Sequence, residues 1–378
     1  MREQYEHIDK ILPQGEFLKG FVNQNLISKT DLKALLKNRG VYFGKDSKES
    51  YVPFLSNTVI SPQEFETLKD CFNTKEDNPK RSSSDIKLNT DKPLIAIVPD
   101  YSALTAVKDK INQSTANFSV QKILPFSPVD KGDTKMVLQF EIERRDLNKS
   151  WFEATNKFSG QLIIEKEKEN NLKITAQTTS KETQVVIKEI EKVLVNHLKD
   201  IKVVKEKEKL EKILFGDFDN KSRITFFLRL SNNMTSSVFT FQDIVDVQFK
   251  ADEELDLPDE IIWMSNKDAL IFKGKKIQSD FFFEQNSYHE FIKCWGMEVK
   301  FAYKYGLVEG IVSVNFGFPY FETRGNKSEF EINIGTYTTQ GAVPYAEKNR
   351  VKEKLFDFLE KEKSEIYERY LAYTKELG

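Results

Sequence analysis

Six basic side chains lie close together near the N-terminus of a chain whose charges almost cancel. They are Lys29, Lys33, Lys37, Arg39, Lys45 and Lys48, and between residues 27 and 48 only Asp31 and Asp46 oppose them. The whole 378-residue chain carries 57 basic and 59 acidic residues, a net charge of −2. Ammonium and guanidinium groups bind backbone phosphates. Because the chain as a whole does not attract anions, this segment predicts a local phosphate-binding surface.

A second group of residues could hydrolyse phosphodiester bonds. Glu298 and Lys300 are two residues apart in a segment that predicts a strand, and Asp280 precedes them. Two carboxylates can hold Mg²⁺ while a neighbouring lysine helps to activate water. The pattern resembles PD-(D/E)xK nucleases, which implies Asp280 and Glu298 as metal ligands and Lys300 beside the water. The alternative is an edge strand with polar residues facing solvent, since 31% of the chain is charged.

A short helix, a glycine stop, an extended loop and a second short helix position the six basic residues. Ser28 predicts the N-cap of the first helix, with Asp31 as its capping partner, and Gly40 fits the left-handed position after the helix. The buried stripe of this helix is predicted to be Leu32, Leu35 and Leu36. The second helix includes residues 51–55, where Pro53 limits its length.

This layout over residues 27–60 resembles the SAP-like helix–extended loop–helix modules that bind nucleic acid. Residues 32–40, Leu-Lys-Ala-Leu-Leu-Lys-Asn-Arg-Gly, match the first-helix pattern of paired leucines with outward basic residues. The resemblance implies that the six basic residues contact DNA or another nucleic acid. Residues 51–55 lack the acidic-plus-arginine pattern usual near the end of the second helix. The alternative is a helical cap or protein-docking module with a solvated basic face.

Composition and periodicity predict an α+β protein with four segments. Residues 1–72 form the helical SAP-like module, and the polar residues 73–93 form a flexible linker. Residues 94–204 form a mixed α+β domain that opens with an apolar strand at residues 94–98. Residues 205–378 form a strand-rich α+β domain that ends in a long amphipathic helix. We expect antiparallel sheets in both large domains.

Cysteine and histidine usage bears on cofactors and location. The chain contains two Cys, Cys71 and Cys294, and three His, which predicts no disulfide framework and no Cys/His zinc site. No cofactor is expected, apart from Mg²⁺ if the nuclease hypothesis holds. No apolar run approaches the roughly 20 residues that span a bilayer, and the N-terminus has no secretory pattern. These features predict a cytoplasmic protein without a membrane partner.

The expected function is that of a non-catalytic, nucleic-acid-associated accessory or sensor protein. Residues 27–48 would bind the nucleic acid, and residues 94–378 would bind a protein partner. The composition, rich in Lys, Asn and Phe, is typical of an AT-rich bacterial genome, and we hypothesise a defence or mobile-element complex. The alternatives are the metal-dependent nuclease and a purely structural subunit of a protein complex. No Gly-rich phosphate loop or serine-nucleophile elbow is present in the sequence.

Overall fold

The structure is a computed structural model. It describes residues 12–24, 27–76, 79–115, 117–129, 134–145, 155–167, 170–265, 267–274, 276–277, 285–341 and 343–377. The protein is α+β, as the sequence predicts. Its chain forms two compact units that interleave along the sequence. Unit 1 comprises residues 1–78, 92–163 and 178–203, and unit 2 comprises residues 79–91, 164–177 and 204–378.

The helices begin mostly at residues whose side chains can accept a hydrogen bond from the first turn. Asp100, Ser180 and Asp219 each accept one from a backbone amide three residues later. The prediction of a long C-terminal helix is confirmed. The helices are α1 (Gly15–Val22), α2 (Lys29–Asn38), α3 (Lys48–Ser56), α4 (Pro62–Glu76), α5 (Tyr101–Ser114), α6 (Lys181–Asp200), α7 (Asn220–Asn232), α8 (Phe321–Arg324) and α9 (Tyr345–Leu377).

The strands pair antiparallel wherever their register is described. They are β1 (Lys80–Lys87), β2 (Phe118–Ile123), β3 (Ser127–Pro128), β4 (Lys135–Arg145), β5 (Thr155–Lys166), β6 (Asn171–Thr178), β7 (Glu211–Lys212), β8 (Phe239–Ala251), β9 (Leu270–Lys273), β10 (Ile292–Tyr305), β11 (Val308–Gly317) and β12 (Glu331–Tyr337).

Helices α1 to α4 form a helical domain with its own apolar core in unit 1. The predicted stripe of α2 is buried, and Phe21 of α1 contacts Phe65 of α4 with ring centroids 5.5 Å apart. Ser28 and Asp31 form the predicted capping box, with the Ser28 amide 2.7 Å from the Asp31 carboxylate. Gly40 adopts a φ of +73° after the helix, which favours glycine. Further along unit 1, strand β4 lies beside β2 and β3, and helices α5 and α6 contact each other.

Unit 2 is built on strands in the order β6-β1-β12-β11-β10-β8-β9, with β7 beside β1. One face of these strands is apolar, as the alternating burial of β10 and β12 shows. Helices α7 and α9 contact each other through aromatic rings, with Phe226 and Tyr367 centroids 6.1 Å apart. This aromatic packing explains where many of the 30 Phe residues are used.

The prediction of a flexible linker over residues 73–93 is wrong for much of its length. Residues 73–76 continue α4, and residues 80–87 form strand β1, which pairs with β12 and β7. Strand β1 is polar in part because its buried Arg81 and half-buried Ser83 bind charged residues of α9. Arg81 is 2% exposed and donates to Asp357 at 2.8 Å, to Glu353 and to Gln177. A strand that buries ion pairs lacks the apolar alternation that identifies most strands.

A second buried cation lies in the middle of α9. Lys363 is 1% exposed, and its Nζ lies 2.5 Å from Glu360 and 2.6 Å from the Ser83 hydroxyl on β1. The Glu360 carboxylate is 4% exposed. Arg81 and Lys363 thus connect the same strand and helix within unit 2. We refer to these two residues as the buried cation pair.

The predicted strand at residues 94–98 is also wrong. Residues Leu94–Ala96 form a 3₁₀-helix, followed directly by the Asp100 cap of α5. Leu94 and Ile97 are buried while Ile95 is exposed, a three-residue spacing that fits a 3₁₀ turn. Pro93 and Pro99 flank the run, and neither has a backbone N–H to donate to a strand ladder.

Candidate nucleic-acid interface

Three of the predicted basic residues form a row along helix α2. Lys29, Lys33 and Lys37 are spaced four residues apart, so they lie on one face of the helix. Leu32, Leu35 and Leu36 occupy the adjacent, buried face, about 100° around the helix axis from the lysine row. The side chains of Lys29 and Lys33 are 48% and 42% exposed, and Lys37 is exposed. The leucine stripe therefore fixes the helix with its lysines toward solvent.

One carboxylate bridges the first two lysines of this row. Asp46, in the loop between α2 and α3, lies 2.8 Å from Lys33 and 3.4 Å from Lys29. It also accepts a hydrogen bond from the Tyr51 hydroxyl. The bonds from Lys33 and Tyr51 hold the pKa of Asp46 well below its usual range, and the bond to Asp46 raises the pKa of Tyr51 to about 12. Asp46 is therefore ionised at neutral pH and offsets part of the lysine charge.

The other two lysines of this surface form no close ion pair with a residue that the structure describes, although the charge of Lys45 acts on Glu49. Lys37 and Lys45 are both exposed and form no ion pair or hydrogen bond with a described residue. Their ammonium groups remain hydrated and available for a ligand. We define the lysine face as Lys29, Lys33, Lys37 and Lys45.

Arg39 has a structural role instead. Its Nε and Nη2 atoms each lie 2.5 Å from an oxygen of Glu64, and Nη2 also donates to the Val59 carbonyl at 2.9 Å. Glu64 in turn accepts from the Ser61 amide at 2.7 Å at the start of α4. The Arg39 hydrogen bonds lower the pKa of Glu64 to about 2. This bidentate pair ties the end of α2 to the start of α4, so the guanidinium is occupied.

Lys48 is likewise held within the helical domain. Its Nζ donates to the carbonyl oxygens of Gln24 and Ile27, at 2.6 and 2.7 Å. These carbonyls follow the end of α1, so the lysine ties that segment to the first turn of α3. Because these hydrogen bonds use the Lys48 ammonium group to satisfy two backbone carbonyls, we do not include Lys48 in the phosphate-binding surface.

An acidic residue lies close to the loop end of the lysine face. Hydrogen bonds from the Glu49 amide and the Ser47 side chain lower the pKa of Glu49, and the charge of Lys45 adds to the shift. Glu49 lies in the first turn of α3, where a carboxylate is favoured by the helix dipole. The Glu49 carboxylate therefore occupies the N-terminal end of α3, where a phosphate would otherwise be favoured, and its negative charge repels a phosphate there.

The residues of the nuclease hypothesis lie on strand β10, apart from Asp280, which falls outside the described residues. Glu298 is half-buried and Lys300 is exposed, and both point to the same face of the strands. Glu298 lies opposite Asp246 of β8 in the strand register, a neighbour that no local motif indicated. Asp246 also lies 3.2 Å from Lys273. Within the described ranges, no group of three or more His, Cys, Asp or Glu side chains could hold a metal ion.

A shallow pocket on the same face includes Glu298. Its lining contains the polar side chains Lys80, Gln248, Asn315 and Asn333 around a floor formed by Gly296 and Gly317. A Cβ atom at Gly317 would lie 2.6 Å from the Trp295 carbonyl oxygen, so glycine permits the close strand approach there. The lining combines amide groups with apolar side chains such as Trp295 and Phe316, and its two carboxylates, Glu298 and Glu331, repel a phosphate.

Comparison with known protein families identifies one similarity, and it covers the helical domain. The family model described as the GAPS4b protein N-terminal domain matches residues 16–78. This range holds helices α1 to α4 and the entire lysine face. No curated protein matches the chain. None of the helices that the structure describes combines the length and hydropathy needed to cross a membrane.

Proposed function

We propose that this chain is a non-catalytic, nucleic-acid-associated accessory or sensor protein that binds DNA or another nucleic acid through its lysine face. The observation that carries the proposal is the pair Lys37 and Lys45. Both ammonium groups are exposed and form no close ion pair or hydrogen bond with a described residue, in a chain with a net charge of −2. Lys29 and Lys33 extend the same surface along α2.

Phosphate neutralisation is the mechanism that this surface supports. Each lysine that replaces a condensed counter-ion on a duplex contributes about −0.9 to the slope of log K against log salt. Lys37 and Lys45 are available without breaking any described contact. Lys29 and Lys33 are already paired with Asp46, so we expect each of them to contribute less to the affinity for nucleic acid.

Two similarities support this assignment to the helical domain. Residues 27–60 resemble a SAP-like module, and residues 16–78 match the GAPS4b protein N-terminal domain. The second match is consistent with a defence-associated accessory protein. We therefore propose that the chain belongs to a bacterial defence or mobile-element complex, in which residues 94–378 contact a protein partner.

The test is binding of the full chain to fluorescein-labelled single-stranded and duplex DNA at low salt, read by anisotropy. The variant is Lys37→Glu/Lys45→Glu. The matched control is Lys188→Glu/Lys192→Glu, which applies the same charge change to two exposed lysines of helix α6. We expect the first variant to lose most of the affinity and the control to keep it.

Equal losses in the two variants would show that only total charge matters, and this would contradict the proposed face. Absence of binding by the wild-type chain at low salt would overturn the proposal altogether. In that case the helical domain would be a docking module in a structural subunit, and partner pulldown would replace the nucleic-acid assays.

A metal-dependent nuclease is the second candidate, because Glu298 lies opposite Asp246 with Lys300 two residues along the strand. Asp280 and Glu298 would then hold Mg²⁺, and Lys300 would help to activate water. The test is Mg²⁺-dependent cleavage of DNA by wild type, Glu298→Ala and Lys300→Ala. Cleavage that both substitutions abolish would establish the nuclease, whereas equal activity in all three proteins would exclude these residues.

A further inference from the structure

The loop between α2 and α3 holds one aromatic side chain in solvent. Tyr42 is 76% exposed, although it lies between two residues that pack inward. Val41 packs against the apolar core of the helical domain, and its amide donates to the Leu36 carbonyl at 2.9 Å. Phe43 contacts Tyr51 and Phe54 with centroids 5.3 and 5.4 Å away. The loop is therefore anchored on both sides of the exposed ring.

Tyr42 contributes little to the packing of the helical domain, since most of its side chain is exposed. Its ring forms no aromatic contact and its hydroxyl no hydrogen bond with any residue that the structure describes. An exposed aromatic ring in an anchored loop loses little conformational entropy when a ligand covers it, which makes such rings effective contact residues.

The two unpaired lysines flank this ring along the chain. The Gly40 amide donates to the Lys37 carbonyl at 2.9 Å, so the loop begins at the last turn of α2. Lys45 lies three residues after Tyr42, and Asp46 then contacts the α2 lysines. The loop that presents Tyr42 thus runs beside the lysine face. Basic groups that follow a phosphate backbone, combined with aromatic rings that stack on bases, are typical of single-strand binding.

We infer that Tyr42 stacks on an unpaired base, so that the lysine face prefers single-stranded nucleic acid over a continuous duplex. This inference rests on the proposed function of the same face. In a duplex, neighbouring base pairs cover the base faces, and Tyr42 gains nothing there. In a single strand, the lysines hold the phosphates and the ring covers one base.

The experiment uses the full chain and a single strand of about 20 nucleotides, longer than the roughly 4–16 nucleotides that such sites cover. The same sequence is prepared as a blunt duplex and as an abasic single strand, which keeps the phosphates and lacks the bases. Anisotropy is measured for wild type, Tyr42→Ala and Tyr42→Phe. The matched control is Phe17→Ala, since Phe17 is 62% exposed on α1 and lies away from the loop in sequence.

We expect Tyr42→Ala to weaken binding to the normal single strand roughly 5- to 150-fold, the range that corresponds to loss of one stacked base. Its affinity for the duplex and the abasic strand should match wild type, and Tyr42→Phe should restore binding. Phe17→Ala should have no effect. A Tyr42→Trp variant should show additional fluorescence quenching with the normal strand and none with the abasic strand.

Two outcomes would overturn the inference, and they are distinguishable from failure of the proposed function. If Lys37→Glu/Lys45→Glu loses binding while Tyr42→Ala does not, the face binds phosphate and the stacking role is wrong. If Tyr42→Ala weakens binding to all three probes equally, the ring supports the conformation of the loop and does not stack on a base. If wild type binds none of the probes, both the inference and the proposed function fail.

Discussion

Basic side chains have opposite environments on the lysine face of the helical domain and in the buried cation pair of unit 2. The buried cation pair of unit 2, Arg81 and Lys363, is at most 2% exposed and is bound to carboxylates. On the lysine face, Lys37 and Lys45 are exposed and form no close ion pair with a described residue. The same residue types thus stabilise a fold in one region and remain available for a ligand in the other. Burial and pairing, rather than the number of charges, distinguish the two uses.

The largest expected effect is on folding stability in unit 2. Lys363→Ala leaves the Glu360 carboxylate buried without its cation, and we expect a loss of about 3–5 kcal/mol in the free energy of unfolding. Lys37→Ala removes a hydrated side chain and should change that free energy by less than about 0.5 kcal/mol. Urea unfolding followed by circular dichroism measures both. Comparable losses in the two variants would contradict the contrast between the regions.

The second effect concerns Arg39, which belongs to the basic segment but is used in packing. Arg39→Ala should destabilise the helical domain by about 1–2 kcal/mol, because it leaves Glu64 without its bidentate partner. Arg39→Ala should also bind nucleic acid more strongly than Lys37→Glu/Lys45→Glu when both are folded. A loss of binding as large as in that double variant, without loss of stability, would assign Arg39 to the interface.

The same ion pair predicts a dependence of stability on pH. The pKa of Glu64 falls from its ordinary 4.5 to about 2 in the folded state, chiefly through Arg39. Its contribution is therefore fully present above about pH 4.5 and is lost as the pH falls toward 2. We expect the stability difference between wild type and Glu64→Gln to shrink over that range. If this difference in the free energy of unfolding does not change with pH, the charge of Glu64 does not contribute to stability.

The smallest effect should follow from removing the carboxylate within the lysine face. Asp46→Asn frees the charge of Lys29 and Lys33, so binding should strengthen by roughly two- to fivefold at low salt. The gain should disappear as salt rises, since all the groups involved are exposed. Glu49→Gln provides the comparison at the start of α3 and should strengthen binding by less. Weaker binding by Asp46→Asn would mean that Asp46 is needed to orient the two lysines.

Local signals in the sequence predict local structure well in this chain. The Ser28–Asp31 capping box, the leucine stripe of α2 and the glycine after it all follow from residues within one or two turns. Lys29, Lys33 and Lys37 lie on one face of α2 for the same reason, since they are four residues apart. These features depend on helix geometry, which neighbouring residues determine.

The features that local sequence patterns do not predict depend on contacts between residues far apart in the chain. Arg39 meets Glu64, which is 25 positions away, and a count of charges in one segment cannot reveal that pairing. Asp246 lies opposite Glu298 only because β8 pairs with β10. Strand β1 looks like a linker because its buried Arg81 is satisfied by residues of α9, more than 270 positions later. In each case the partner is fixed by strand order or helix packing, and no nearby spacing indicates it.

The proposed phosphate binding by the lysine face is tested most directly by the salt dependence of duplex DNA binding by the whole 378-residue chain. Wild type and Lys37→Glu/Lys45→Glu are compared by anisotropy across a salt series. If the lysine face binds phosphates, the slope of log K against log salt should be less steep in the variant by about two contacts, or roughly 1.8. Identical slopes in the two proteins would show that Lys37 and Lys45 do not contact the nucleic acid, and this would contradict the account.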